Sequence, residues 1–279
     1  MRVGVLHPGE MGASVAASLL AGSHEVAWCS AGRSEHSHTR AVELREFAQL
    51  DDLVAWAEVL ISVCPPAHAL QQAQAVHACA FDGLYVDANA IAPATALVIA
   101  QLMGAAYVDG GIIGPPAWQP GTTRMYLSGN NANVVAALFT DAVLDAIAIP
   151  QAEVDEAAAS ALKMAYAAYT KGHSALLLAA NALAHNSGVL DVLRSEWELS
   201  LPGLGQRSEI TAQAISAKAW RFVGEMQEIS ATFAGAGLPA EFHNGAAELY
   251  ARLSEFKDQP PASLDKLLDV LAQAEDTTG

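Results

Sequence analysis

The sequence predicts an α/β protein in two parts: a doubly wound, mainly parallel sheet over residues 1–152 and an all-helical part over residues 153–279, joined by a long helix. Three observations predict it. Up to about Pro150, short apolar runs alternate with amphipathic stretches at the spacing of βαβ units. Beyond Pro150 those runs stop, and long Ala-, Leu- and Glu-rich stretches take over. The 279 residues exceed the usual size of one domain, and a hydrophobic fraction of 52% against 16% charged residues can fill two cores.

In chain order, strands are expected at Val3–Leu6, Glu25–Trp28, Val59–Val63, Leu84–Asp87, Tyr107–Asp109 and Met125–Leu127. Helical patterns lie between them at Met11–Leu20, Asp51–Ala57, Ala67–Ala78 and Ala92–Met103. The second part reads as helices at Glu153–His185, Val189–Glu196, Glu209–Ala236, Pro239–Phe256 and Ser263–Ala274. Their breaks fall at Asn186-Ser187-Gly188, Leu201-Pro202-Gly203, Gly235 to Pro239 and Pro260-Pro261. A helix as long as the first would run about 45 Å at 1.5 Å per residue, more than one small domain needs, so it is expected to carry a domain or subunit interface. The polar tail Glu275–Gly279 is expected to fray.

Thirty acidic residues against 14 basic give a net charge of −16, which opposes the counterion release that nucleic-acid binding depends on. No nucleic-acid partner is expected. An anionic cofactor would need local positive elements, such as a helix N-terminus, Arg33 or Lys163. Cys29, Cys64 and Cys79 have neither ligand spacing nor an even number to pair, so reduced thiols and a cytoplasmic location are expected. The opening apolar run breaks at His7, too early for a signal peptide, and the run Ala175–Ala184 is far too short for a membrane span. The chain is thus expected to be soluble, with no membrane partner. Its histidines show no metal-ligand spacing, and no metal is expected.

The segment V-G-V-L-H-P-G-E-M-G runs an apolar strand into a turn and then a small-residue helix. In the fingerprint G-x-G-x-x-G, the first glycine allows the turn, the second admits the pyrophosphate, and the third lets helix and strand pack closely. Here His7, Gly9 and Gly12 hold those places, with Pro8, Glu10 and Met11 between them, and His7 replaces the first glycine. The reading is a Rossmann-type dinucleotide site; the alternative is a merely structural turn. At the end of the second strand no acid is present to pair with an NAD ribose. Ser30, Arg33 and Ser34 can instead donate to a phosphate, which favours NADP over NAD unless Arg33 is simply a solvated loop residue.

Cys64-Pro65-Pro66 follows a buried-looking strand and either borders the cofactor or merely ends the strand. Asn89 ends the next one, where its amide either contacts nicotinamide and substrate or caps the helix that follows. Lys163 lies in an apolar helical stretch and shares a face with Tyr166, Ala167 and Thr170, with Lys171 about 80° round. It is either a snorkelling surface residue or a functional amine.

On these residues the chain resembles the β-hydroxyacid dehydrogenases, which include 6-phosphogluconate and 3-hydroxyisobutyrate dehydrogenases, and looks most like members known only as 6-phosphogluconate dehydrogenase NAD-binding proteins. The resemblance covers nearly the whole chain. It implies a Rossmann domain, a long interdomain helix bearing a catalytic lysine, and a helical C-terminal domain through which two copies embrace as a homodimer. The family's glycine fingerprint falls on His7, Gly9 and Gly12, its D-x-S/N-x-x-x-P segment on Asp87, Asn89 and Pro93, and its K-x-x-N/H-N on Lys163, Tyr166 and Ala167. Its later K-D-L falls on Lys218-Ala219-Trp220.

Two departures stand out. The family's substrate-carboxylate loop D-x-P-V-S-G-G reads Asp109-Gly110-Gly111-Ile112-Ile113-Gly114-Pro115, so a serine hydroxyl and one glycine N–H are missing. The asparagine after the lysine is Ala167, beside Tyr166. A standard 3-hydroxy acid is therefore not the expected substrate.

What the resemblance implies is hydride exchange between nicotinamide and a secondary alcohol or its ketone, with Lys163 as general acid and base. A pKa lowered by desolvation, or by the charge of Lys171 or Lys218, would suit it to both roles. Asn89, Ile113, Gly114, Tyr166, Thr170 and Lys218 would contact the substrate. The rival readings are an imine reductase, a relative that shares the scaffold and usually lacks the lysine, and a non-catalytic NADP(H)-binding partner protein.

Overall fold

The computed structural model describes residues 1–150, 156–257, 259, 261 and 263–272, in two compact units, Met1–Met164 and Ala165–Gly279. The expected boundary at 152/153, the first residues of the helix expected from Glu153, the end of the helix expected to Ala274 and the tail Glu275–Gly279 lie outside the described residues.

In the first unit β1 (Arg2–Val5) enters α1 (Glu10–Ala21), and β2 (Glu25–Cys29) is followed by α2 (Glu35–Arg40) and β3 (Arg45–Phe47). Then come α3 (Leu50–Trp56), β4 (Val59–Ser62), α4 (Ala69–Ala78), β5 (Leu84–Asp87), α5 (Pro93–Met103) and β6 (Tyr107–Ile113). The unit's sheet closes with β7 (Arg124–Ser128), α6 (Ala132–Ala137) and β8 (Asp145–Ala148). The strands form one sheet in the order β3-β2-β1-β4-β5-β6-β7-β8. The first six are parallel, β7 runs antiparallel to β6, and β8 is parallel to β7.

The strand alternation sends Val3, Val5, Val59 and Ile61 to one face, where they meet Val15 and Leu19 of α1. Leu6, Leu60 and Tyr85 belong to a second cluster with Leu53, Val76 and Ile99 of α3, α4 and α5. A strand buried on both faces reads as a continuous apolar run rather than an alternating one, which is why β1 and β4 are legible in the sequence. Strand order reverses between β1 and β4, and in open α/β sheets the crevice at that reversal, outside the carboxyl ends of the strands, is where ligands bind.

The doubly wound sheet and the helical remainder are as the sequence predicts, with four additions. The strand β3 has three residues, none of them buried, and β8 alternates exposed with half-buried positions. The helices α2 and α6 are one to two turns long. None of the four buries enough apolar side chain to leave a periodic signal.

The long α7 (Ala158–Asn186) has 29 residues and contains the division between the units. The second unit continues with α8 (Leu190–Ser200), α9 (Leu204–Ser216), α10 (Ala219–Gly235), α11 (Glu241–Arg252) and α12 (Leu264–Ala272). Gly188 (φ 67°) and Gly203 (φ 76°) make the breaks on either side of α8 in left-handed backbone, as their residue type allows. The single helix expected over Glu209–Ala236 is two. It breaks at Ala217-Lys218, with neither Gly nor Pro present, after buried Ser216 turns its hydroxyl onto the Gln213 carbonyl (3.0 Å).

Candidate active site

The turn after β1 is built as the fingerprint requires. A Cβ placed on Gly12 would lie 1.9 Å from the backbone oxygen of His7, so only glycine lets α1 start this close to the end of the strand. A Cβ on Gly9 would meet nothing within 4 Å. Gly9 is the N-cap of α1, which no side chain caps, so the first-turn N–H groups and an open approach to them coincide. That arrangement fits a dinucleotide pyrophosphate. Pro8 is buried and Met11 half-buried, while Glu10 is exposed and 4.0 Å from Arg40.

His7 substitutes for the first glycine at a cost in polarity. Burial, with the positive charges of Arg33 and His68 nearby, holds its pKa down at about 4, so the ring is neutral at pH 7. Its Nδ1 is buried with no partner among the described residues, and so is Nε of half-buried Arg33. Arg33 lies near enough to His7 and Cys64 for its charge to act on both. Ser30 donates its hydroxyl to the Phe47 carbonyl (3.4 Å), and Ser34 caps α2 by accepting from Ser37 N (3.3 Å). Of the three residues expected to meet a phosphate, Arg33 is the one whose polar atoms remain to be satisfied.

The loop after β4 is fixed from β5. Asn89, 2% exposed, accepts from Cys64 N (2.5 Å) and donates to Ser62 Oγ (3.1 Å). It does not cap α5, whose N-cap is Ala92. Burial pushes the Cys64 thiol up to about 11, which keeps it protonated and unreactive at neutral pH, and exposed Pro65 follows it.

Beyond β6 the chain turns at Gly114, where any Cβ would sit 2.4 Å from Thr122 O. Ala117 N in this loop donates to Ser14 Oγ of α1 (2.9 Å), and Ser14 donates in turn to Met11 O (2.8 Å). The loop beyond β6 is thereby tied to the helix that follows the glycine turn. Ile113, in the place of the family's serine, is buried at the end of β6.

Lys163 sits one turn into α7, and its Nζ donates to the Ile112 carbonyl of β6 (2.6 Å). Four buried polar residues, Ser62, Asp87, Asp109 and Ser128, lie at one register across four strands, and the last two hold the start of α7. Asp109 Oδ1 accepts from Ser160 Oγ (2.5 Å), and Oδ2 accepts from Ser160 N (2.7 Å) and Ser128 Oγ (3.1 Å). Ser128 Oγ also accepts from Ala159 N (3.0 Å). Two N–H groups that the first turn of α7 would otherwise leave unsatisfied thus find partners on β6 and β7.

Burial pushes the Asp87 carboxyl up to about 7, against the pull of Asn89 N, with Asp109 adding to the rise. Burial raises Asp109 too, opposed by its serine donors. Asp109 has the more donors of the two, which favours its charged form over that of Asp87, whose Oδ2 has no partner among the described residues.

Tyr166, Thr170 and Lys218 belong to the second unit. Tyr166 is half exposed, and Thr170 turns its hydroxyl back to Tyr166 O (3.2 Å). Lys218 is exposed between α9 and α10. Lys171, one expected source of positive charge for Lys163, is paired with Glu225 at 2.7 Å, which offsets that charge. Among the described residues no group of His, Cys, Asp and Glu could hold a metal, and no helix is long and apolar enough to cross a membrane.

Sequence reasoning missed Ser14, Gly111, Ser128 and Ser160. The sequence places Gly111 in a loop beyond a strand ending at Asp109, whereas β6 runs on to Ile113; a Cβ there would lie 2.5 Å from Ala159 O and 3.1 Å from Lys163 Cβ.

Residues 184–253 match the model of a domain of unknown function, DUF1932. An uncharacterised 28.5 kDa protein of Methanothermus fervidus, from the 7S RNA 5′ region, is 32% identical over 196 residues, 69% of this chain and 74% of that protein. Among solved structures, Mycobacterium tuberculosis 3-hydroxyisobutyrate dehydrogenase with L-serine superposes with a TM-score of 0.70 at 16% identity, over 98% of this chain and 99% of that one. The reductive aminase of Aspergillus terreus, in complex with NADPH and ethyl levulinate, gives a TM-score of 0.54 at 18% identity over 96% and 98%.

Proposed function

This chain belongs to one family with the 28.5 kDa Methanothermus fervidus protein, on the fold of the β-hydroxyacid dehydrogenases, and from that premise we propose that it is an NAD(P)-dependent oxidoreductase. Its substrate would be a secondary alcohol, or the matching ketone, in a small molecule less polar than a standard 3-hydroxy acid. The observation that carries this reading is a convergence within the first unit. The uncapped glycine turn, the Asn89-held loop of Cys64 and the Ser14-tied loop after β6 all lie at carboxyl ends of strands, and Lys163 is bonded to the end of β6.

The N–H groups of Met11 and Gly12 and the space over Gly9 would take the pyrophosphate, and Arg33 the 2′-phosphate of NADP. The nicotinamide supplies hydride in reduction and accepts it in oxidation. The bond to Ile112 O fixes the direction of the Lys163 ammonium, which donates a proton to the carbonyl oxygen as the alcohol forms and takes it back in reverse. Gly114 keeps one loop N–H toward the substrate, while Ile113 and Pro115 remove the hydroxyl and the second N–H. Asn89 acts by holding the loop of Cys64.

The missing serine favours a second reading, reduction of an imine. NADPH consumption measured with a panel of 3-oxo acids, aliphatic ketones and cyclic imines separates the two. Turnover on ketones supports the first reading and turnover on imines alone the second. NADPH binding without turnover on any of them leaves a non-catalytic partner protein. In the same assay Arg33→Ala is expected to weaken NADPH binding by roughly tenfold or more, the worth of a charge-assisted phosphate contact, and NADH binding by far less. Equal losses for both cofactors would sink the NADP assignment.

A second copy of this chain is the proposed partner. Along α7, Ala167, Ala168, Ala175 and Ala182 are buried, while Tyr169, Leu176 and Leu183 are 73, 56 and 68% exposed. With His173 and Ala180 these form a stripe at alternating spacings of four and three, the seam of one helix against another. Leu176→Glu together with Leu183→Glu is expected to convert a dimer to a monomer in light scattering. A wild-type monomer at micromolar concentration would refute the pairing.

A further inference from the structure

We propose that Asp109 is the positioning residue for Lys163: it fixes the first turn of α7 to β6 and thereby sets the direction of the lysine ammonium. The proposal rests on the oxidoreductase reading of Lys163 and names the device that aims it.

Three observations converge. The two oxygens of Asp109 take three bonds, two from Ser160 and one from Ser128, and all three side chains are at most 2% exposed. Lys163 follows Ser160 by three residues, less than one turn of helix, so holding Ser160 holds Lys163 with little slack. Gly111, two residues beyond Asp109, has no side chain where one would strike Ala159 O at 2.5 Å and Lys163 Cβ at 3.1 Å. The helix can therefore lie against the strand closely enough for Nζ to reach Ile112 O at 2.6 Å.

The acceptor Asp109, the close approach at Gly111 and the lysine bond at Ile112 all come from one strand and act on the first turns of one helix. An ionised carboxylate at a helix N-terminus is also favoured by the helix dipole, so the charge of Asp109 strengthens the hold it exerts.

The test reads Lys163 directly and needs no substrate. In the full-length wild type, Asp109→Ala, Ser160→Ala and Ser160→Thr, the rate of reductive methylation of Lys163 relative to Lys266 is followed by peptide mass spectrometry below the melting temperature. The amine should react about tenfold faster in Asp109→Ala and a few-fold faster in Ser160→Ala, while Ser160→Thr, which keeps the hydroxyl, should match the wild type. Turnover should fall in the same order with NADPH affinity unchanged, since the glycine turn lies outside this network.

An unchanged Lys163 rate in a cooperatively folded Asp109→Ala overturns the proposal. If that variant does not fold, the Ser160→Ala and Ser160→Thr pair decides by the same criterion. A wild type that turns over no ketone or imine overturns the oxidoreductase reading instead, and the methylation rates then still show whether Asp109 aims the lysine.

Discussion

Lys163→Met is expected to lower kcat for ketone reduction by roughly 10²–10⁴, the usual contribution of a general acid–base residue, equivalent to about 3–5 kcal/mol of transition-state stabilisation. Methionine keeps most of the volume and removes the proton. The structural cost is small beside that: losing the hydrogen bond to Ile112 O from a half-buried side chain costs about 1 kcal/mol, or a few degrees in Tm for a unit of this size. The two effects are thus separable by magnitude. Stopped-flow oxidation of NADPH at saturating substrate reads the first and a thermal melt the second. A fall in kcat of less than about 10² in a variant that melts normally would remove Lys163 from the chemistry.

The second large effect is a contrast between two glycines in one turn. In Gly12→Ala the new methyl would lie 1.9 Å from His7 O, roughly 1.5 Å inside ordinary contact, and the obstacle is backbone rather than a side chain that can swing aside. Overpacking of that kind costs about 2–3 kcal/mol or more, so Tm should drop by roughly 5–10 °C and NADPH binding should be lost with the displaced turn.

In Gly9→Ala the methyl meets no protein atom within 4 Å, and the backbone, at φ −69° and ψ −168°, suits alanine. Its stability should equal that of the wild type, yet NADPH should bind at least about tenfold more weakly, because the methyl stands where the pyrophosphate approaches. Calorimetric titration and thermal melts of both variants check the pair. Undiminished NADPH affinity in Gly9→Ala would mean that the turn is merely structural.

The sheet was legible because strands buried on both faces, such as Val59–Ser62, leave unbroken apolar runs between helical patterns. The edges were not: Arg45–Phe47 is too short and too exposed to carry a pattern. In the site, Gly9, Gly12 and Lys163 stand out because their residue types are unusual for their surroundings. The network that aims Lys163 was hidden for the opposite reason. Asp109, Ser128 and Ser160 are ordinary residues 51 or fewer positions apart, the first two brought together by strand register and Ser160 by the packing of α7 on the sheet, and α7 is capped by side chains of strands rather than by a local cap that a sequence pattern would reveal. The break at Ser216 lay beyond reach because serine ends few helices and bends many.

The polar row Ser62, Asp87, Asp109 and Ser128 also bears on how the sheet assembles. Side chains alternate between faces along a strand, so a one-residue slip of β5 or β6 would swing its carboxyl to the opposite face, into apolar packing with no donor in reach. An all-aliphatic sheet pays little for a slipped pairing. Here four strands are keyed to one another by a single line of polar atoms, and the correct alignment is the one in which Asp109 meets the serines that satisfy it.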